Sequence, residues 1–227
     1  MAALSPTAQR RRTERPTQIK CLFVDVGGVL LTDGWGHRSR RLAAATFKLD
    51  RTEMEDHHQL TFNTYEEGKL TLDEYLDRVV FYKKRSFTRS QFRRFMFAQS
   101  KPYSEVIELL DQLKMRHKLK VAVVSNEGRE LNAYRIRAFE LDKLADLFIS
   151  SCFVHIRKPD LDIFRFALDV AQVAAPQVVY IDNTPMFAQI AGTLGMHSIC
   201  HTDVRETRAA LAAFGLSSNE KAFRDKR

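Results

Sequence analysis

The sequence IKCLFVDVGGVLLT, residues 19–32, decides the fold that we expect for this chain. Its apolar run at 22–24 is typical of a short buried strand and is too short for a helix. The run ends at Asp25, after which Gly27 and Gly28 allow the backbone to turn sharply. In open α/β sheets, ligands bind at the carboxyl ends of the strands. We therefore interpret Asp25 as a candidate nucleophile or metal ligand, with an Asp that only caps the turn as the alternative.

The size and composition are ordinary for a soluble globular protein. The chain has 227 residues, of which 44% are hydrophobic and 28% charged, which suits one domain with an insertion or two small domains. No apolar stretch approaches the length of a membrane span, and the first 18 residues lack the apolar segment of a secretory signal. The three cysteines are widely spaced and odd in number. We expect a cytoplasmic protein with reduced cysteines and no membrane partner.

The net charge of +8 is concentrated at the two ends of the chain. Residues 1–17 carry an excess of three positive charges and residues 217–227 an excess of two, which leaves +3 for the remainder. We expect both ends to be tails, the first of them basic and disordered. A charge of +3 is compatible with an anionic substrate and does not indicate a nucleic-acid-binding surface.

Hydrophobic periodicity predicts a helical insertion after the first strand. Between residues 34 and 100, apolar residues recur at helical spacing. Thr71 and Glu74 have the spacing of a capping box, which marks a helix start. We expect a small helical cap over 34–100.

The remainder of the chain predicts an α/β core, formed by residues 18–33 and 101–216. Helical patterns there alternate with short apolar runs at 121–124, 147–149, 178–181 and 198–200. Such alternation is typical of parallel strands joined by crossover helices. The predicted fold is therefore a doubly wound parallel sheet with helices on both faces.

Polar residues follow three of the predicted strands. They are Asp25, the pair Ser125-Asn126 and the pair Asp182-Asn183, and Lys158 lies in a loop before a helix. Parallel strands end at the same edge of a sheet, so these side chains are expected to meet in one cleft.

In these residues the sequence resembles the haloacid dehalogenase-like (HAD-like) hydrolase superfamily, in its phosphatase-like branch with a helical cap after the first motif. Asp25 matches the family nucleophile, Ser125 the Ser/Thr of the second motif and Lys158 the lysine of the third. Asp182 and Asn183 match the acidic fourth motif. The segment YEEGKLTLDEY, residues 65–75, resembles a pattern found in such caps.

The resemblance implies a Mg²⁺-dependent phosphatase that acts on a small phosphorylated metabolite through an aspartyl-phosphate at Asp25. Ser125, the backbone N–H of Asn126 and Lys158 would bind the phosphoryl group. The protein ligands of Mg²⁺ would be Asp25, the carbonyl of Gly27, Asp182 and Asn183.

The sequence departs from the family pattern in the first and fourth motifs, which keeps two alternatives open. Gly27 stands where the phosphatases usually have a second Asp that protonates the leaving group, and Asn183 replaces a carboxylate of the fourth motif. One alternative is a weak or inactive binding protein that keeps the fold. The other is a 2-haloacid dehalogenase, which does not need the second Asp but normally has Thr where this chain has Val29. A sugar-phosphate mutase is disfavoured because it relies on the missing Asp.

Trp35, His37 and Tyr65 are candidate substrate contacts, since the first two lie on the connection from sheet to cap and the third on an expected cap loop. Any of them, or Glu66, is a candidate replacement for the missing acid. The adjacent histidines at 57 and 58 are expected on a surface helix and not at a metal site.

Overall fold

A computed structural model describes residues 18–218, so the predicted tail at 1–17 and most of the tail at 217–227 lie outside the described residues. The strands are β1 (Cys21–Val24), β2 (Lys120–Ser125), β3 (Leu147–Ser150), β4 (Val178–Asp182) and β5 (His197–Cys200). The helices are α1 (His37–Phe47), α2 (Arg51–Glu66), α3 (Leu72–Val79), α4 (Arg89–Ala98), α5 (Ser104–His117), α6 (Arg129–Ala138), α7 (Leu141–Leu144), α8 (Ser151–Val154), α9 (Leu161–Ala171), α10 (Pro185–Thr193) and α11 (Val204–Ala213).

The five strands form one parallel sheet in the order β3-β2-β1-β4-β5. β1 is central, and its side chains are apolar on both faces. Leu22 and Val24 pack in one cluster with α5 and α11, whereas Cys21 and Phe23 pack in another with α9 and α10. Successive strand residues point to opposite faces, so each cluster lies on its own side of the sheet. The predicted doubly wound α/β fold is confirmed.

In the sequence, helices α1–α4 lie between β1 and α5. They share a third apolar cluster, which combines aliphatic and aromatic side chains. Thr71 begins α3 with the expected capping box, since its hydroxyl accepts from the Glu74 N–H and the Glu74 carboxylate accepts from the Thr71 N–H. The segment that enters these helices is hydrogen-bonded to the segment that leaves them. The Thr32 N–H donates to the carbonyl of Lys101 (2.9 Å), and the Thr32 hydroxyl donates to the carbonyl of Gln99 (2.7 Å). The cap boundaries at 34 and 100 stay a prediction.

Several helices differ from the sequence-based expectations. Helix α10 begins at Pro185, three residues before the apolar pattern indicated, because proline suits the first turn of a helix. The four-residue helices α7 and α8 were not predicted, since a single turn shows no periodicity.

Within residues 18–218, no helix is both long enough and apolar enough to cross a membrane.

Candidate active site

A cavity of about 390 Å³ lies where the loops after β1, β2 and β4 meet helices α1 and α2. Most of the residues predicted from the sequence to form the site line this cavity; they are Asp25, Gly27, Trp35, His37, Tyr65, Ser125, Asn126 and Asn183. Lys158 and Asp182 do not line it. Both are fully buried beside Asp25, with Lys158 in the loop before α9 and Asp182 at the end of β4.

Lys158 joins the two predicted carboxylates. Its Nζ lies 3.0 Å from Oδ1 of Asp25 and 2.7 Å from Oδ2 of Asp182. Two buried carboxylates around one buried ammonium leave a local excess of one negative charge when all three groups are ionised. A charge buried in this way is tolerated only when it is paired, so these three side chains form one electrostatic unit.

The pKa directions follow from this burial and pairing. Burial raises the pKa of Asp25 above its ordinary value, although the charge of Lys158 and a hydrogen bond from Ser125 oppose the shift. Burial alone would lower the pKa of Lys158, but Asp25 and Asp182 raise it above its ordinary value. Lys158 is therefore a permanent cation beside the candidate nucleophile.

Tyr180 is a member of this unit that the sequence did not reveal. Its hydroxyl donates to Oδ2 of Asp182, and Nζ of Lys158 donates to the same hydroxyl at 3.1 Å. The other carboxylate oxygen of Asp182 accepts from the backbone N–H of Thr184 at 2.7 Å. Both oxygens of Asp182 are thus occupied by protein groups.

The side chain of Asn126 positions the Lys158 loop. Its amide nitrogen donates to the carbonyl of Lys158 (2.9 Å), and its amide oxygen accepts from the N–H of Lys158 (2.8 Å). The side-chain amide therefore pairs with a backbone amide, in addition to the backbone contact with phosphate that was predicted for Asn126. The neighbouring Ser125 is the last residue of β2 and is almost completely buried.

Three of the predicted metal ligands offer oxygen atoms of the kind that Mg²⁺ prefers and line the cavity: the Asp25 carboxylate, the Gly27 carbonyl and the Asn183 amide. Gly28 has a φ of 75°, and a β-carbon there would lie 2.0 Å from the Asn183 amide nitrogen, so only glycine leaves room for this amide. These donors fit Mg²⁺ in type.

The charge available to such an ion is low. Asp25 is the only carboxylate among the three cavity-lining donors, and the fourth predicted ligand, Asp182, is occupied by protein groups. Residues 18–218 contain no group of three or more His, Cys, Asp or Glu side chains arranged to hold a metal ion. We therefore expect weak binding of Mg²⁺, with several waters retained.

The predicted substrate contacts differ in their exposure and in the hydrogen bonds that they form within the protein. The Trp35 indole N–H donates to the hydroxyl of Tyr75 (2.8 Å), which also contacts Nδ1 of His58 (2.7 Å). Tyr65 lies in the last turn of α2, not in a loop, and its ring stacks on Tyr75. No residue within 18–218 forms a hydrogen bond with the Tyr65 hydroxyl, which is buried. His37 is mostly exposed.

The expected surface setting is wrong for His58, which is buried against Tyr75 and Phe62. Burial lowers its pKa to about 3, so its imidazole is neutral at physiological pH. Its hydrophobic neighbours explain the error, since the apolar face of α2 extends to this residue. His57 instead stacks on Tyr82 at the other side of the helix.

Three further carboxylates line the cavity, those of Asp33, Glu66 and Glu127, and the two glutamates are paired with arginine. Glu66 lies 2.7 Å from a guanidinium nitrogen of Arg157, and Glu127 is paired with Arg135. Burial raises the pKa of Glu66, and it raises that of Glu127 to about 7 despite the neighbouring guanidinium. The pairing of Glu127 with Arg135 was not predicted, because Arg135 lies eight residues further along the chain, within α6.

Glu127 gives a testable pH dependence of stability. Its pKa in the folded state, about 7, exceeds the ordinary 4.5, so its stabilising contribution is complete below pH 4.5 and is lost as the pH rises through 7. We expect the free energy of unfolding of the wild type, measured relative to Glu127→Gln, to fall over this window and to stay constant above about pH 8. Urea denaturation across the window measures it, and a constant difference at every pH would contradict it.

Comparisons with known proteins match this chain to a family of hydrolases. The family model described as haloacid dehalogenase-like hydrolase matches residues 19–190. A curated relative, (S)-2-haloacid dehalogenase 4A of Burkholderia cepacia, is 29% identical over 97 residues, which make up 43% of this chain and 42% of that protein. The match thus spans less than half the length of that relative.

Solved structures share the fold at low sequence identity. A HAD family enzyme of Bacteroides thetaiotaomicron, in complex with magnesium and inorganic phosphate, has a TM-score of 0.69 and 21% identity, covering 83% of this chain and 98% of that one. The L-2-haloacid dehalogenase of Xanthobacter autotrophicus, with chloropropionic acid covalently bound, has a TM-score of 0.58 and 14% identity, covering 88% and 85%.

Proposed function

The chain belongs to the haloacid dehalogenase-like hydrolase family, and on that basis we propose that it is a Mg²⁺-dependent phosphatase. Its substrate is a small phosphorylated metabolite, because a cavity of about 390 Å³ is of the size that holds a small molecule. The cytoplasmic location predicted from the sequence is part of the same proposal.

One observation carries the proposal: the carboxylate of Asp25 lines the cavity while the buried ammonium of Lys158 lies 3.0 Å behind it. A phosphoryl group brings negative charge to a carboxylate that is already negative. The fixed cation offsets that charge without reorganisation, which is the usual largest contribution to catalysis of this kind. Ser125 and Asn126 line the same cavity and supply hydrogen-bond donors.

In this mechanism an oxygen of Asp25 attacks phosphorus as the bond from phosphorus to the substrate's leaving oxygen breaks. The dephosphorylated product leaves, and water hydrolyses the aspartyl-phosphate to inorganic phosphate and free Asp25. The Ser125 hydroxyl and the backbone N–H of Asn126 bind a phosphoryl oxygen. Lys158 stabilises the charge that gathers on phosphate and carboxylate, and Asn126 and Asp182 hold Lys158 in place through its backbone and its ammonium.

Bound Mg²⁺ would supply positive charge that neutralises part of the phosphate charge. Asp25, Gly27 and Asn183 would hold it, with Asp182 as a ligand only after exchange of its present partners.

The test is hydrolysis of para-nitrophenyl phosphate by the wild-type protein with Mg²⁺ and with EDTA. We expect turnover that requires Mg²⁺. Asp142→Asn, an isosteric change at an exposed residue, is the control and is expected to leave turnover unchanged. Binding of inorganic phosphate without any turnover would instead support the non-catalytic binding protein. Turnover of equal rate in EDTA would contradict the metal dependence.

The second candidate is a 2-haloacid dehalogenase, which the local match to the Burkholderia cepacia enzyme and the glycine at 27 favour. In that reaction the Asp25 carboxylate would displace halide from carbon. Release of chloride from (S)-2-chloropropionate in EDTA, with no phosphate release in the parallel assay, would favour this reaction over the phosphatase.

A further inference from the structure

The carboxylate of Asp33 lies next to the position that a β-carbon of residue 27 would occupy. A β-carbon built on Gly27 would be 3.6 Å from the Cα and 3.8 Å from Oδ1 of Asp33. Both residues line the cavity that contains Asp25. The position two residues after the candidate nucleophile thus lacks a carboxylate in sequence but has one next to it in space.

The loop after Asp33 is built so that this approach is possible. A β-carbon on Gly36 would lie 2.9 Å from the Cβ and 3.3 Å from Oδ2 of Asp33, so glycine is needed there. Gly34 has a φ of 61°, and a β-carbon there would lie 1.7 Å from a guanidinium nitrogen of Arg135. The two glycines therefore let the loop fold tightly between the cavity and α6.

Asp33 also differs from the other carboxylates of the cavity in its hydrogen bonding, its ion pairing and its exposure. Within the part of the chain that the structure describes, its side chain forms no ion pair or hydrogen bond, and the residue is exposed. Glu66 and Glu127 are instead oriented toward arginines. A proton donor has to reach the leaving oxygen before its pKa matters, and Asp33 is the carboxylate that is both unpaired and beside Gly27.

We propose that Asp33 is the general acid and base of the phosphatase reaction, in place of the absent side chain at position 27; this rests on the function proposed above. As Asp25 attacks phosphorus, the bond from phosphorus to the leaving oxygen breaks, and that oxygen takes the proton of the Asp33 carboxyl group. The Asp33 carboxylate then removes a proton from the water that attacks the aspartyl-phosphate. Inorganic phosphate leaves, and the free Asp25 carboxylate and protonated Asp33 are restored.

The test compares Asp33→Asn with the wild type on aryl phosphates whose leaving groups range from dinitrophenol to unsubstituted phenol. A poor leaving group needs the proton and a good one does not, so kcat/KM is expected to fall by about 10²-fold for phenyl phosphate and by less than about threefold for dinitrophenyl phosphate. Asp142→Asn is the matched control, and Glu66→Gln and Glu127→Gln report on the competing carboxylates.

A second variant removes the ambiguity of a damaged site. Gly27 has no positive φ and a β-carbon there meets nothing closer than 3.6 Å, so Gly27→Asp in the Asp33→Asn background is expected to recover at least tenfold on phenyl phosphate. An equal loss across the series, or a graded loss in Glu66→Gln or Glu127→Gln instead, would overturn the role of Asp33 alone. Absence of wild-type hydrolysis of every member would overturn the phosphatase as well.

Discussion

Replacing Asp25 by Asn is expected to lower kcat by at least about 10³-fold, the scale seen when a nucleophile is removed from a catalytic unit. An amide oxygen is a poor nucleophile, and the variant also removes the charge that faces Lys158 at 3.0 Å. The measurement is single-turnover and steady-state hydrolysis of para-nitrophenyl phosphate, with rapid acid quench to detect phosphoprotein in the wild type and its absence in the variant.

The same variant separates catalysis from folding. Burial raises the pKa of Asp25, which means that the ionised carboxylate is costly in the folded protein. Asn has nearly the same shape and no charge to desolvate, and Lys158 keeps Asp182 as its partner. We expect the melting temperature to stay within a few degrees of the wild type. A variant that keeps more than a tenth of the wild-type kcat would remove Asp25 from the mechanism.

The positions of the site residues could be predicted because they depend on local pattern and sheet topology. Short apolar runs that end in Asp25, Ser125 or Asp182 are enough to place those residues at the carboxyl edge of a parallel sheet. The order of the strands did not follow from the sequence, since any central strand that is apolar on both faces would read alike.

Other parts of the site depend on contacts that no local pattern reports. Tyr180 reads as an ordinary strand residue, and only its spacing of two from Asp182 hints that both side chains share a face of β4. The approach of Asp33 to Gly27 depends on the turn between them and on the glycines that follow. The sequence shows that residue 27 lacks a side chain, but it does not show that Asp33 lies beside that position.

Replacing Lys158 by Met is expected to have the largest effect on stability. The variant leaves Asp25 and Asp182 as buried carboxylates without their cation, and breaking a buried pair in this way costs about 3–5 kcal/mol. Lys143→Met is the matched control, because its ion pair with Glu140 is exposed and such pairs contribute about 0–1 kcal/mol. Urea denaturation measures both. Catalysis is expected to be lost as well, since the fixed cation beside the nucleophile is gone.

The pH dependence of Lys158→Met distinguishes a lost charge from lost packing. Without the ammonium that now lowers it, the pKa of Asp25 rises further above its ordinary 3.8. A raised pKa in the folded state gives stability that is complete below pH 3.8 and is lost as the pH rises through the folded value. The deficit in stability relative to wild type is therefore smallest in acid and grows toward neutrality.

Adding Asp182→Asn to Lys158→Met is expected to recover part of the deficit at neutral pH, because one orphaned carboxylate is removed. A deficit that is the same at every pH and unchanged in the double variant would mean that Lys158 acts through packing alone, and the electrostatic account of the site would then be wrong.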